Sequence, residues 1–130
     1  QYFEDLARGR DYPIVGSTDA HGSVNHPGAH VSATIVFAPE NTRDALCDGI
    51  RQKYSVAVDT ISAELRCVGS LRLARYAYFL ETNFFPLHDE LCFEEGRAMK
   101  DHACGRPEGL EVLRAIHGRM KRQREKYFSF

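Results

Sequence analysis

The hydrophobic pattern of this chain changes period once, and that change limits what it can fold into. Before Gly69 the apolar residues come in short runs, at residues 12–17, 33–38 and 54–58, each with the length of a buried strand. After Gly69 they recur every three or four residues, as Leu73, Tyr76, Ala77 and Leu80 do, which is the period of an α-helix. The chain therefore predicts an α/β part over residues 1–69 and a helical part over residues 70–130.

Within the first part, Phe3, Leu6 and Ala7 suit one face of a short helix over residues 2–8, which Gly9 is placed to end. Pro39-Glu40-Asn41-Thr42 closes the second run and offers a capping residue. Ala45, Leu46, Gly49 and Ile50 then predict a helix over residues 42–52, between the second and third strands. Strands that are apolar on both faces and joined through helices mark a parallel α/β sheet or barrel, so a parallel arrangement is expected. In the second part three helices are predicted. The first runs to a break at Pro86, the second covers residues 87–103 and stops at Gly105, and the third opens at Pro107 with Leu110, Leu113, Ile116 and Met120 as its buried stripe.

The 130 residues, 43% of them hydrophobic, suit one compact body that buries about two-thirds of its unfolded surface. The 17 basic and 18 acidic residues leave a formal charge of −1, which argues against nucleic acid as a partner, although a local basic stretch runs from Arg114 to Lys126. No apolar run approaches the roughly 20 residues that span a bilayer, and no secretory leader is visible, so the expectation is a soluble, cytoplasmic protein with no membrane partner. Cys47, Cys67, Cys92 and Cys104 include no C-x-x-C pair, which fits free thiols in such a compartment. The chain opens on Gln1 with a strand within a dozen residues, so its natural start is expected to be missing, whether through processing, through a front part left out, or because the chain is the tail of something longer.

The chemistry concentrates in Pro13-Ile14-Val15-Gly16-Ser17-Thr18-Asp19-Ala20-His21-Gly22. If strand geometry persists through the Asp-x-His pair, alternation aims Asp19 and His21 the same way. A carboxylate oxygen and an imidazole nitrogen together suit a divalent Zn, Mn or Fe ion better than Ca, which prefers oxygen throughout. The bland alternative is that both residues serve a strand-to-loop turn. His26 and His30 follow in the same Gly- and Pro-containing loop and are candidate additional ligands, though solvation alone also accounts for them.

Farther along, His88, Asp89, Cys92, Glu94 and Glu95 crowd into two helical turns, with His88 and Cys92 at i, i+4. A Zn site needs more ligands than that pair, and a half-buried histidine beside a core cysteine explains it as well. Arg43, Arg66 and Arg72 flank element ends and have the planar fork that grips phosphate, but three arginines need no such explanation and surface ion pairs are the favoured use for them. No G-x-S-x-G elbow or Walker spacing is present.

The stretch from Ile14 to Gly22, followed by Thr34-Ile35-Val36-Phe37-Ala38, a helix with Asp44-Ala45 and Ile50, and Tyr54-Ser55-Val56, resembles the C-terminal part of the PHP (polymerase and histidinol phosphatase) domains. The resemblance covers roughly residues 10–60. It implies the last strands and helices of a PHP-like distorted (β/α)7 barrel, followed here by a three-helix extension. In that family a late strand ends in S-D-x-H or T-D-x-H, whose Asp and His ligate a metal cluster, and these roles map onto Asp19 and His21 alone. The family's early H-x-H pair has no counterpart in this chain.

The expectation that follows is the C-terminal portion of a metal-dependent phosphoesterase, inactive as an isolated chain. Its cofactor would be a divalent metal and its substrate a phosphorylated small molecule or other phosphoester. A missing N-terminal part or partner chain would complete the site, and exposed sheet edges or the helical stripe would favour homo-oligomers. The alternative is a small non-catalytic α/β interaction module that oligomerises through its C-terminal helices.

Overall fold

The computed structural model describes residues 1–17, 32–60 and 64–128. It is mixed α/β and mostly helical, in the order α1 (Tyr2–Ala7), β1 (Ser32–Val36), α2 (Arg43–Arg51), β2 (Ser55–Asp59), β3 (Arg66–Val68), α3 (Leu71–Asn83), α4 (Phe85–Ala103), α5 (Pro107–Ile116) and α6 (Arg119–Phe128). The chain divides into two compact units, Gln1–Tyr78 and Phe79–Phe130.

In the first unit the strands form one sheet of order β1-β2-β3, and both pairings are antiparallel. This corrects the expected parallel arrangement, and no barrel is seen among the described residues. The reason lies at the end of β1. Val36 pairs directly with Ser55, and the pairing extends outward through a hydrogen bond from Phe37 N to Tyr54 O. The α2 segment is thus an insertion in a wide hairpin that leaves and re-enters the sheet at one end, not a crossover carried back along it. Thr42 caps α2 by accepting from Ala45 N at 3.3 Å.

Alternation assigns the two sheet faces. Val56 and Val58 of β2 share a face with Ile35 and Cys67, and against that face pack Leu73 and Ala77 of α3. Val56, Val58 and Ala77 are the buried centre of this unit, with Phe37 and Leu65 at its margin. The opposite face is mixed, with Thr34 on β1 and the fully buried Ser55 on β2 beside Val36, Ala57 and Val68.

Residues 12–17, expected as a strand, join no strand pairing. They lie over the face that carries Thr34 and Ser55 as an extended strap. Ser55 Oγ donates to Ile14 O at 2.7 Å, Gly16 N donates to Thr34 Oγ1 at 2.9 Å, and Thr34 Oγ1 donates to Gly16 O at 2.8 Å. Two side-chain hydroxyls thereby satisfy backbone groups that strand neighbours would otherwise satisfy.

In the second unit four helical segments take part, the end of α3 with α4, α5 and α6, where the sequence predicts three helices in all. The break expected at Pro86 is present, with Pro86 in the first turn of α4, where its missing N–H costs nothing, and the additional segment has another origin. The expected third helix divides at Gly118, whose φ of 76° is left-handed and incompatible with helix continuation. α4 and α5 pack as a hairpin, and Leu80, Phe84, Leu91 and Ala98 are the buried apolar residues of the unit among those described.

Candidate functional site

Asp19, His21, His26 and His30 all lie outside the described residues. The structure does describe what leads into them. The strap is pinned at Ile14 and Gly16, and Gly16 precedes Asp19 by three residues. Its start is anchored too. Asp5 of α1 is buried and accepts from Arg10 Nη1 at 3.1 Å and from Tyr12 OH at 2.9 Å. The hydrogen bond to Asp5 holds the Tyr12 hydroxyl above its ordinary pKa, because ionising it would place two anions side by side. Lys53 pairs with Asp11 and ties the strap to the end of the α2 hairpin.

Of the five residues crowded on the second late helix, α4 brings together three. His88 Nδ1 lies 3.0 Å from Asp89 Oδ1, and Cys92 Sγ lies 3.9 Å from the His88 ring. Partial burial, then the carboxylates of Asp89 and Glu95, push the Cys92 thiol above its ordinary pKa. That disfavours the thiolate needed for nucleophilic attack. Glu94 points elsewhere and accepts from Arg119 Nη1 of α6 at 3.0 Å. Among the described residues no group of three His, Cys, Asp or Glu side chains could hold a metal ion. Cys47, Cys67, Cys92 and Cys104 are all free.

The arginines considered for phosphate, Arg43, Arg66 and Arg72, sit on α2, β3 and α3 respectively, each exposed. Arg66 stands opposite Asp59 in the β2–β3 register. Nothing in these positions assembles an anion site from them.

Two features of the helical unit were not singled out by sequence reasoning. The first is a groove of about 790 Å³ between α4 and α5, floored by Ala98 and Gly109 and bordered by Phe93, Val112, Glu94 and Arg119. Its borders carry both signs of charge.

The second is a face of α4. Phe85, Cys92, Gly96, Met99 and Ala103 are separated by seven, four, three and four residues, which places them along one side of the helix. Phe85 is half-buried and the other four are exposed, Met99 to 57%. A Cβ added at Gly96 would have no neighbour within 4 Å. The signal was present in the sequence as a seven-residue spacing, but the polar residues between these positions hid it.

No helix among the described residues is long and apolar enough to cross a membrane. No family model, curated protein or solved structure matches the chain.

Proposed function

We propose that this chain is an interaction module that associates with a second copy of itself through the exposed face of α4. The observation that carries the reading is the apolar side made by Phe85, Cys92, Gly96, Met99 and Ala103, small enough at Gly96 and Ala103 for close approach of another helix. The charges on the same helix favour a copy of this chain as occupant. Its first half carries Asp89, Glu90 and Glu94, and its second half carries Arg97 and Lys100 together with Glu95 and with Asp101, which is paired with Arg106. Two α4 helices packed antiparallel about a two-fold axis would therefore set the acidic first half of each beside Arg97 and Lys100 of the other. With the axis near residue 94, Asp89 of one copy lies level with Lys100 of the next on the same flank.

The test is sedimentation equilibrium of the full chain from 5 to 200 μM, with Met99→Glu and Gly96→Glu alongside. A dimer that both substitutions dissociate supports the reading. A monomer throughout, or a dimer indifferent to both, overturns it.

A second reading rests on the pinned strap. The anchors at Ile14 and Gly16 fix the approach to Asp19-Ala20-His21, as a metal-ligating pair at the end of an ordered segment requires. On that reading the chain is the C-terminal part of a PHP-type phosphoesterase. Asp19 and His21 would hold a divalent Zn, Mn or Fe ion that activates water, and a phosphoester would be the substrate. Elemental analysis after dialysis against these metals decides it. Near-stoichiometric metal that His21→Ala loses supports the reading, and no metal in the parent chain rejects it for this chain alone.

A further inference from the structure

His88 and Cys92 stand one turn apart on α4, and self-association through the apolar side of that helix gives the histidine no role. The spacing of the pair is informative. Cys92 Sγ lies 3.9 Å from His88 Nε2. Two ligands of a tetrahedral zinc ion, a thiolate bound at about 2.3 Å and an imidazole at about 2.1 Å, stand about 3.6 Å from each other. The two side chains are therefore already near the separation that one shared ion imposes.

The imidazole is prepared for the same task. Asp89 Oδ1 lies 3.0 Å from His88 Nδ1, and an ionised carboxylate only accepts, so Nδ1 carries the ring proton and Nε2 keeps its lone pair. A carboxylate on the far nitrogen is how metal-ligating histidines are oriented. Sγ is also 3.9 Å from Nδ1, so a turn of the ring is what brings the Nε2 lone pair onto the shared point. Cys92 is exposed, and the His88 side chain keeps 27% of its surface in solvent, so an ion can reach both.

One copy supplies two ligands, and among the described residues no third joins them. A second copy can supply the rest. In an antiparallel pairing of α4 helices with the two-fold axis near residue 90, His88 of each copy is level with Cys92 of the other.

We propose that His88 and Cys92 from each of two copies form a tetrahedral S2N2 site for a zinc ion, which joins two α4 helices. Two thiolates and two imidazoles suit zinc and not the hard, oxygen-seeking cations. Each cysteine releases its proton to solvent on binding, and the two thiolates balance the charge of the ion. Without the ion this pairing sets the Asp89 carboxylates of two copies nearly side by side, so the association depends on metal. It shares α4 with the dimer proposed above but not its register. The axis moves from residue 94 to residue 90, which slides one helix about 12 Å along the other. Either association can therefore fail alone.

The test titrates the reduced, metal-free full chain at 50 μM with Co(II) and with Zn(II), followed by absorption spectroscopy and sedimentation equilibrium. Co(II) should give the visible bands of a tetrahedral ion and an ultraviolet thiolate charge-transfer band, saturating at one ion per two chains as the dimer forms. Excess Zn(II) should bleach them and keep the dimer. Cys92→Ser and His88→Ala should each abolish both the bands and the metal-dependent dimer. Cys104→Ser and His21→Ala should retain both, which separates this site from one at Asp19 and His21. Met99→Glu, which dissociates the metal-free dimer of the charge-matched register, should leave the metal-bound one intact, because Met99 is then level with residue 81 of the other copy, outside its α4. The absence of a thiolate band overturns the proposal. So does a band that survives Cys92→Ser or His88→Ala, or saturation at one ion per chain without a dimer.

Discussion

Gly109 of α5 sits directly on the backbone of α4 at Ala98. A Cβ placed on Gly109 would stand 2.6 Å from Ala98 O and 2.5 Å from His102 N, distances no real Cβ occupies. The missing side chain is what lets the two helices approach closely enough to bury Leu91 and Ala98.

Gly109→Ala is expected to destabilise the helical unit despite the better helix propensity of alanine, which favours it by up to about 1 kcal/mol. The added methyl meets backbone on both sides, and backbone cannot rotate away as a side-chain tip can. Overpacking of this kind costs about 1–3 kcal/mol, so a net loss should appear as a lower urea midpoint. Gly96→Ala is the matched control, since nothing lies within 4 Å of that position. It should leave stability unchanged or raise it slightly. Equal midpoints for the two variants would show that α4 and α5 do not pack this closely.

The strap offers a second prediction. Thr34→Val keeps shape and removes the hydroxyl that both donates to Gly16 O and accepts from Gly16 N. Each hydrogen bond contributes about 0.5–1.5 kcal/mol net, and the loss falls on a segment that can detach without unfolding the sheet. Amide exchange at Gly16 should therefore accelerate about tenfold while exchange in β2 barely changes. If metal binds through Asp19 and His21, Thr34→Val should also weaken that binding, because the approach to the pair is no longer fixed. Unaltered exchange at Gly16 would contradict the anchoring.

These two sites show what the sequence could and could not disclose. The valines of β2 and the period of α3 are local signals, and local signals located most elements to within a few residues. Parallel or antiparallel pairing is not local. The order strand, helix, strand fits a crossover and a helix inserted in a hairpin equally well, and only the opposition of Val36 and Ser55 distinguishes them. For the same reason the strap read as a strand. Ile14 and Val15 have strand composition, while the hydroxyls that draw them onto the sheet face lie about 20 and 40 residues away. The α4 side was hidden differently, because its apolar positions are mixed with small and polar residues and carry little periodic signal. Asp19 and His21 were legible as a pair by spacing alone, and the described residues supply only the anchor that precedes them.

Glu81 predicts a pH dependence. Burial first, and the Asp89 carboxylate second, raise its pKa above the ordinary value. The folded state then holds the Glu81 proton more tightly than the unfolded state does. Its contribution to stability is complete below the unfolded value of about 4.3 and is lost as pH rises through the higher folded value. At pH 7 the ionised side chain is a liability, so Glu81→Gln should stabilise the helical unit there. Partial solvent exposure limits the gain to less than about 1 kcal/mol. Urea melts at pH 7 and pH 4 check this, with the advantage expected at pH 7 and absent at pH 4. A variant less stable than the parent at pH 7 would mean that Glu81 makes a favourable interaction as the anion.

Cys92 joins the local electrostatics of α4 to the proposed dimer. Its thiol sits above the ordinary pKa because partial burial and the carboxylates of Asp89 and Glu95 oppose the thiolate, which is the reactive form. Alkylation by iodoacetamide at pH 8 should therefore accelerate in Glu95→Gln, which removes the smaller of those two charge effects. The same substitution bears on association. Glu95 lies beside the proposed two-fold axis and would face its own copy, so neutralising it should tighten the dimer while exposing a more acidic thiol in the monomer. The two effects separate with concentration. At 5 μM the variant should react faster than the parent, and at 200 μM its Cys92 should be the better protected, because the dimer covers that side of α4. A faster reaction in the variant with no dependence on concentration would preserve the electrostatic account of Cys92 and remove it from any contact between copies.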